Sequence, residues 1–153
     1  MKKVIKLLFI FMCVVFISGC AGTKVTKCTL KSDQSASGYT LDSTYDIYSK
    51  DDVVTKVVTK EVVNSENTTI IAYFEKTLKD QYENANKKYG GYTVDVKKED
   101  KKVISSVTID YNKVDLASYV KDNTAMKSYV NKDNKLTLKG AKSLYESLGA
   151  SCE

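Results

Sequence analysis

The chain has 153 residues, with 24 basic side chains against 19 acidic ones and no histidine. Without histidine, Ser-His-Asp and Cys-His nucleophile systems are excluded, and so are His-ligated zinc or non-haem iron sites. Every basic residue is lysine, so the bidentate phosphate and base recognition typical of arginine is excluded too.

The chain opens with a Lys-headed, apolar segment. Lys2, Lys3 and Lys6 precede an unbroken apolar run from Leu7 to Ile17, the length of a secretory h-region and too short for a membrane span. Ile17-Ser18-Gly19-Cys20 follows. A branched residue, two small residues and a cysteine at this place resemble the lipobox of bacterial lipoproteins. The resemblance implies a signal peptide over 1–19, cleavage before Cys20, and a diacylglyceryl group on the Cys20 sulfur. The expected location is the outer face of the bacterial cell membrane, with the lipid as anchor. Three lysines leave with the signal, so the remaining charge is about +2, which is no electrostatic footprint for nucleic acid.

Residues 20–27 read as a lipidated tether and 28–153 as one domain. Cys13 lies in the discarded segment and Cys20 carries lipid, which leaves Cys28 and Cys152. In a compartment that permits disulfides these two are expected to pair. The alternative is two free thiols. Cys28-Thr29-Leu30 suggests a short first strand, and Ser32 to Gly38 a polar loop. Tyr39 to Tyr48 alternates Tyr39, Leu41, Tyr45 and Ile47 with Thr40, Asp42, Thr44 and Asp46, the pattern of a half-buried strand. A turn over Ser49–Asp52 leads into a β-branched strand, Val53 to Val63, whose facing is ambiguous because Val occurs at both parities.

One long helix is predicted over about Thr68–Lys88, with Ile71, Phe74, Leu78, Tyr82, Ala85 and Tyr89 as its apolar seam. Asn64, Ser65 and Asn67 are candidate N-caps, and Gly90 is the stop. A second hairpin follows: Tyr92–Val96, a turn at Glu99–Lys101, and Lys102–Tyr111. Asp115 can cap a short helix, and Thr137 can cap a last one carrying Leu138, Ala141, Leu144, Tyr145 and Leu148. Strand pair, helix, strand pair, helices is not a β-α-β alternation. The expectation is an α+β domain: a four- to five-stranded antiparallel sheet made of two hairpins, with the long helix and the C-terminal helices on one face.

The lipobox and early cysteine are joined by Tyr89-Gly90-Gly91-Tyr92, by the stretch Val107-Thr108-Ile109-Asp110-Tyr111-Asn112-Lys113-Val114-Asp115-Leu116, and by Leu144-Tyr145-Glu146-Ser147-Leu148-Gly149. Together they resemble the YehR-like small bacterial lipoproteins over nearly all of the mature chain. The resemblance implies fold and location, and carries over no catalytic residue.

Neither a Rossmann fingerprint nor a Walker loop is present. Asp42, Asp46, Asp95 and Asp110 share the polar parity of their strands, where two of them can serve as a glycosidase-type pair if a cleft brings them within ~5–10 Å. The same Thr/Asp/Lys pattern is ordinary on the wet face of an antiparallel sheet. Asp51-Asp52 and Asn131–Asn134 lack EF-hand spacing and read as turns. Of eleven tyrosines, only Tyr48 and Tyr73 fall out of phase with the apolar sides of their elements, so no aromatic platform is expected. The reading is a monomeric, lipid-anchored, non-enzymatic binding module without a cofactor. Its partner is an envelope protein, a wall component or a small ligand. A carboxylate-based envelope hydrolase and a purely structural lipoprotein are the alternatives.

Overall fold

A computed structural model describes residues 22–153; the signal segment and Cys20 lie outside the described residues. Six strands form one antiparallel sheet in the order β4-β5-β3-β2-β1-β6. The strands are β1 (Thr23–Gln34), β2 (Tyr39–Lys50), β3 (Val53–Asn64), β4 (Tyr92–Glu99), β5 (Lys102–Asp110) and β6 (Ser151–Cys152). The helices are α1 (Thr68–Tyr89), α2 (Leu116–Asp122) and α3 (Leu138–Ser147), with 3-10 turns at Ser35–Ser37 and Thr124–Ser128. The α+β architecture matches the sequence reading, and the sheet is wider than the four or five strands expected.

Two differences stand out, and only the second, β6, adds a strand. β1 is not a three-residue strand: all twelve of its residues pair with β2, from Thr23↔Lys50 to Gln34↔Tyr39. Residues 23–27, read as tether, are therefore the first part of the sheet, and Ser32–Gln34, read as loop, are its last part. The inward side chains Thr26, Cys28, Leu30 and Ser32 are mostly small or polar, so the period-2 apolar signal is weak. β6 pairs with β1 through Cys28↔Cys152 and Thr29↔Ser151, which is too short for any periodicity.

Local chemistry sets the connections. Asp51 and Asp52 both have positive φ, 49° and 64°, the geometry of a two-residue hairpin turn matched to strand twist. Register shifts between Tyr48 and Ser49, a bulge that leaves Thr55 to accept from the Tyr111 backbone N–H at 2.9 Å. Asn67 caps α1 by accepting from the Thr69 N–H (2.9 Å), Asp115 caps α2 through Ser118, and Thr137 caps α3 through Gly140. Gly90 closes α1. Gly91, at φ 81°, sits where a Cβ would meet the Asp110 carbonyl at 2.8 Å, so the chain can pass there only as glycine.

All three helices lie on one face. Cys28, Tyr45, Ile47 and Val57 from β1–β3 share a core with Leu116, Val120, Met126, Leu136, Ala141 and Tyr145. α1 packs on β4 and β5. The facing of β3, ambiguous in its sequence, is settled by burial: Val57, Thr59 and Val63 are buried on the helix side, and Lys56, Val58, Lys60 and Val62 point to the open face. No helix among the described residues is long and apolar enough to cross a membrane.

Candidate functional site

The twelve residues of β1 place its two ends about 36 Å apart, at about 3.3 Å per residue. Thr23, three residues after Cys20, lies at one end beside the Asp51-Asp52 turn. At the other end three loops converge. Ser65 ties them: its hydroxyl donates to the Gly38 carbonyl at 2.6 Å and accepts from the Asn67 N–H at 3.0 Å, while its own N–H donates to the Lys101 carbonyl at 3.0 Å. Around this knot runs an open groove of about 690 Å³, lined by Gly38, Tyr39, Thr40, Asn64, Ser65, Glu66 and Glu99–Lys102. Its rim is charged but paired, with Glu66–Lys101 at 2.6 Å and Glu99–Lys102 at 3.0 Å.

Tyr39 also lines a second groove, of about 530 Å³, with Ser37, Thr69, Ile70, Tyr73, Phe74 and Thr77. Here Tyr39 and Phe74 meet at 4.8 Å between centroids and Tyr73 meets Phe74 edge-on at 5.5 Å. Tyr73 is 62 % exposed. The two grooves thus share a wall, one polar and one aromatic, at the end of the sheet away from Thr23. Sequence reading placed Tyr39 and Phe74 on the apolar sides of their elements; both are partly exposed and line this groove. Three tyrosine rings side by side do not occur here. Tyr48 points to the opposite, open face, where the Lys56 ammonium lies 3.9 Å from its ring centroid.

The four open-face aspartates are dispersed. Asp46 faces Lys27 at 3.6 Å, Asp95 is paired with Lys97 at 3.0 Å, and Asp110 lies 3.4 Å from Lys113. The Asn112 backbone N–H, first, and then Lys113 hold the Asp110 carboxyl below the usual carboxylate range. Asp46 and Asp110 are the nearest two by register, two strands and two residues apart with β3 between them. That puts their Cα atoms about 12 Å apart, and none of the four lines either groove. The arrangement lacks the paired-carboxylate cleft that glycoside chemistry requires. Asn131 accepts from the N–H groups of Asp133 and Lys135, so its loop is held by its own backbone. Among the described residues no cluster of three or more acids, cysteines or histidines is poised for a metal ion.

Cys28 and Cys152 face each other across β1 and β6, with Sγ atoms 1.98 Å apart and Cα atoms 4.0 Å apart. Cys20, the predicted lipidation site, is outside the described residues.

Sequence reasoning missed Glu61. It stands on the helix-bearing side of β3, between Thr59 and Val63, and accepts from the Tyr82 hydroxyl at 2.9 Å. Burial pushes its carboxyl up, with the Tyr82 and Ser105 hydroxyls pulling the other way. Burial, together with the Glu61 charge, likewise raises the Tyr82 phenol. The available signal was Tyr82 on the helical seam, a polar tip in need of a buried partner.

The described fold has solved counterparts. The NMR structure of the Escherichia coli YehR protein superposes with a TM-score of 0.54 at 18 % identity, over 86 % of this chain and 92 % of that one. The fold is YehR-like. An NMR structure of a protein from Streptococcus pneumoniae TIGR4 gives a TM-score of 0.51 at 14 % identity, over 100 % of this chain and 98 % of that one. At such identities the likeness to YehR and to the streptococcal protein concerns the fold alone. No protein-family model matches the sequence, and no curated protein matches it.

Proposed function

We propose that this chain is a YehR-like envelope lipoprotein, anchored through lipid on Cys20, whose domain is a monomeric, non-enzymatic binding module. One observation carries the reading: the paired grooves around Tyr39 lie at the end of the sheet opposite Thr23. With lipid three residues before Thr23, β1 would hold the grooves about 36 Å from the anchored end, turned toward whatever lies beyond the membrane. The exposed Tyr73 ring, with Ile70 and Phe74 beside it, offers an apolar contact, and the rim of Glu66, Lys101, Glu99 and Lys102 offers polar ones. An envelope protein, a wall component or a small ligand fits such a mixed surface.

Two experiments in intact cells test this. Stable anchoring takes more than one acyl chain, so Cys20→Ala should leave unprocessed precursor or release protein to the medium. A variant still cleaved and membrane-bound defeats the anchor. A photo-crosslinking residue at Tyr73 should capture a discrete adduct that the same residue at Tyr48 does not. Equal capture at both positions removes the groove from the function.

A further inference from the structure

The two edges of the sheet are treated differently. β1 is capped in its middle by β6, which the Cys28–Cys152 bridge fastens. β4 carries no strand on its outer side among the described residues. It pairs with β5 in unbroken register from Tyr92↔Ile109 to Glu99↔Lys102. Its eight residues include no proline and no bulge, so it lacks most of the devices that blunt an edge.

The ladder fixes where its main chain points. The Asp110 N–H donates to the Gly91 carbonyl at 2.8 Å, which makes Gly91 and Asp110 a hydrogen-bonded pair. Such pairs alternate with non-bonded ones along an antiparallel ladder, so Thr93, Asp95 and Lys97 also turn their N–H and C=O groups to β5. Tyr92, Val94, Val96 and Lys98 turn theirs outward. The Tyr92 N–H agrees with this phase, since it donates to the Asn86 side chain at 3.0 Å. Above it, Val94, Val96 and Lys98 present the row of donors and acceptors that an added strand completes. Val94 and Val96 are only partly buried on the helix side, and apolar residues of an added strand would extend their cover. On the open face the exposed Asp95 and Lys97 lie 3.0 Å apart. Both fall at non-bonded positions of the outer ladder, where facing Cα atoms approach to about 4.5 Å and opposite charges stabilise a pairing.

We propose that the outer edge of β4 docks an extended segment of a partner protein, which adds antiparallel along Val94–Lys98 with an acid opposite Lys97 and a base opposite Asp95. Glu99, where β4 ends, is a wall of the polar groove, so a segment leaving the edge there passes into the surface already described. A second copy offers the same charges, because pairing centred on Val96 sets each Asp95 against the other chain's Lys97. That pairing reverses one sheet against the other and sends their Thr23 ends to opposite extremes. Two copies standing upright on one membrane cannot adopt it. The choice of a foreign segment therefore rests on the anchor reading, whereas the edge itself does not.

The test titrates the full chain, isotope-labelled at its amide nitrogens and held in detergent micelles, with the synthetic peptide Thr-Val-Glu-Val-Lys-Val-Thr. The expected result is a saturable shift of the Val94, Val96 and Lys98 amide resonances. N-methylation of the central valine, whose N–H faces β4, should weaken binding about tenfold or more, and N-methylation of the lysine, whose N–H faces away, should not. Exchanging the peptide's Glu and Lys should weaken it about threefold. Val96→Pro should abolish binding, since an edge strand tolerates proline where the missing N–H faces outward; if that variant fails to fold, the methylated peptides still decide. No saturable shift, or equal tolerance of the two methylations, overturns the proposal. Concentration-dependent shifts of the same amides without peptide assign the edge to a second copy and overturn the choice of a foreign segment. Neither Tyr73→Ala nor Cys20→Ala should alter the titration, so its failure is distinguishable from failure of the grooves or of the anchor.

Discussion

Replacing Cys152 with serine tests how the end of the chain is held. β6 has two residues, fixed by two register pairs to β1 and by the Glu153 N–H donating to the Lys27 carbonyl at 2.9 Å. So short a strand contributes little by itself, and the bridge to Cys28 is what joins positions 124 apart. The chain-entropy relation gives about 4.9 kcal/mol at 25 °C for a loop of that size, and native bridges deliver about 2–5 kcal/mol. With urea slopes of about 1–3 kcal/mol/M, a loss of about 3 kcal/mol lowers the midpoint by about 1–3 M. The chain spanning 24–153 suits the assay, since Cys13 and Cys20 are absent from it. Its urea midpoint, read by circular dichroism, should fall by that amount both on adding reductant and in Cys152→Ser. Thiol titration of the denatured, unreduced chain should find no free thiol. Two free thiols, or a midpoint indifferent to reductant, refute the reasoning.

Gly140→Ala should destabilise by about 2 kcal/mol or more, because the new Cβ would sit 2.0 Å from the Tyr129 carbonyl oxygen and 2.7 Å from its carbon; overpacking of about 1–3 kcal/mol or more outweighs the ~1 kcal/mol that alanine gains in a helix. Thermal unfolding should show a Tm lower by about 5–10 °C, and a variant melting at or above the parent contradicts the close α3 contact. Glu61 has a folded pKa above its ordinary value of 4.5, so its contribution is full below that value and is lost as pH rises through the folded pKa. Glu61→Gln should therefore remove that loss, gaining stability relative to the parent as pH rises across this window; parallel stability–pH curves for the two would show that burial does not strain the carboxylate.

Much of the fold was legible because strong periodicities coincide with strong punctuation. α1 carries its seam from Ile71 to Tyr89, Asn67 caps its start, and Gly90 closes it. Asp115 and Thr137 cap α2 and α3 as their side-chain chemistry predicts. β2 shows its alternation openly, since Tyr45 and Ile47 are buried while Asp42 is exposed. β1 was shortened because Thr26 and Ser32 occupy inward positions where larger apolar residues would have announced a strand. Its length is decided by pairing with β2, a tertiary fact.

The grooves and the surroundings of Glu61 were less legible for the same reason. Each is made by register, and register is not a property of one strand. A slip of one residue in β3 would turn Glu61 to solvent and bring Lys60 and Val62 inward. What fixes it is remote: the positive-φ turn at Asp51-Asp52 and the bulge opposite Tyr48 set where β3 starts against β2. Those two features carry Ser43 beside Glu61, and the pairing of β3 with β5 brings Ser105 to its other side. Tyr39 is subject to the same logic. Its parity is apolar, but β2 begins with it, and a residue of inward parity at the end of a sheet lines an opening instead of filling a core. Parity tells which face a side chain takes; only the register and the ends of the strands tell whether that face is packed, strained or open to a ligand.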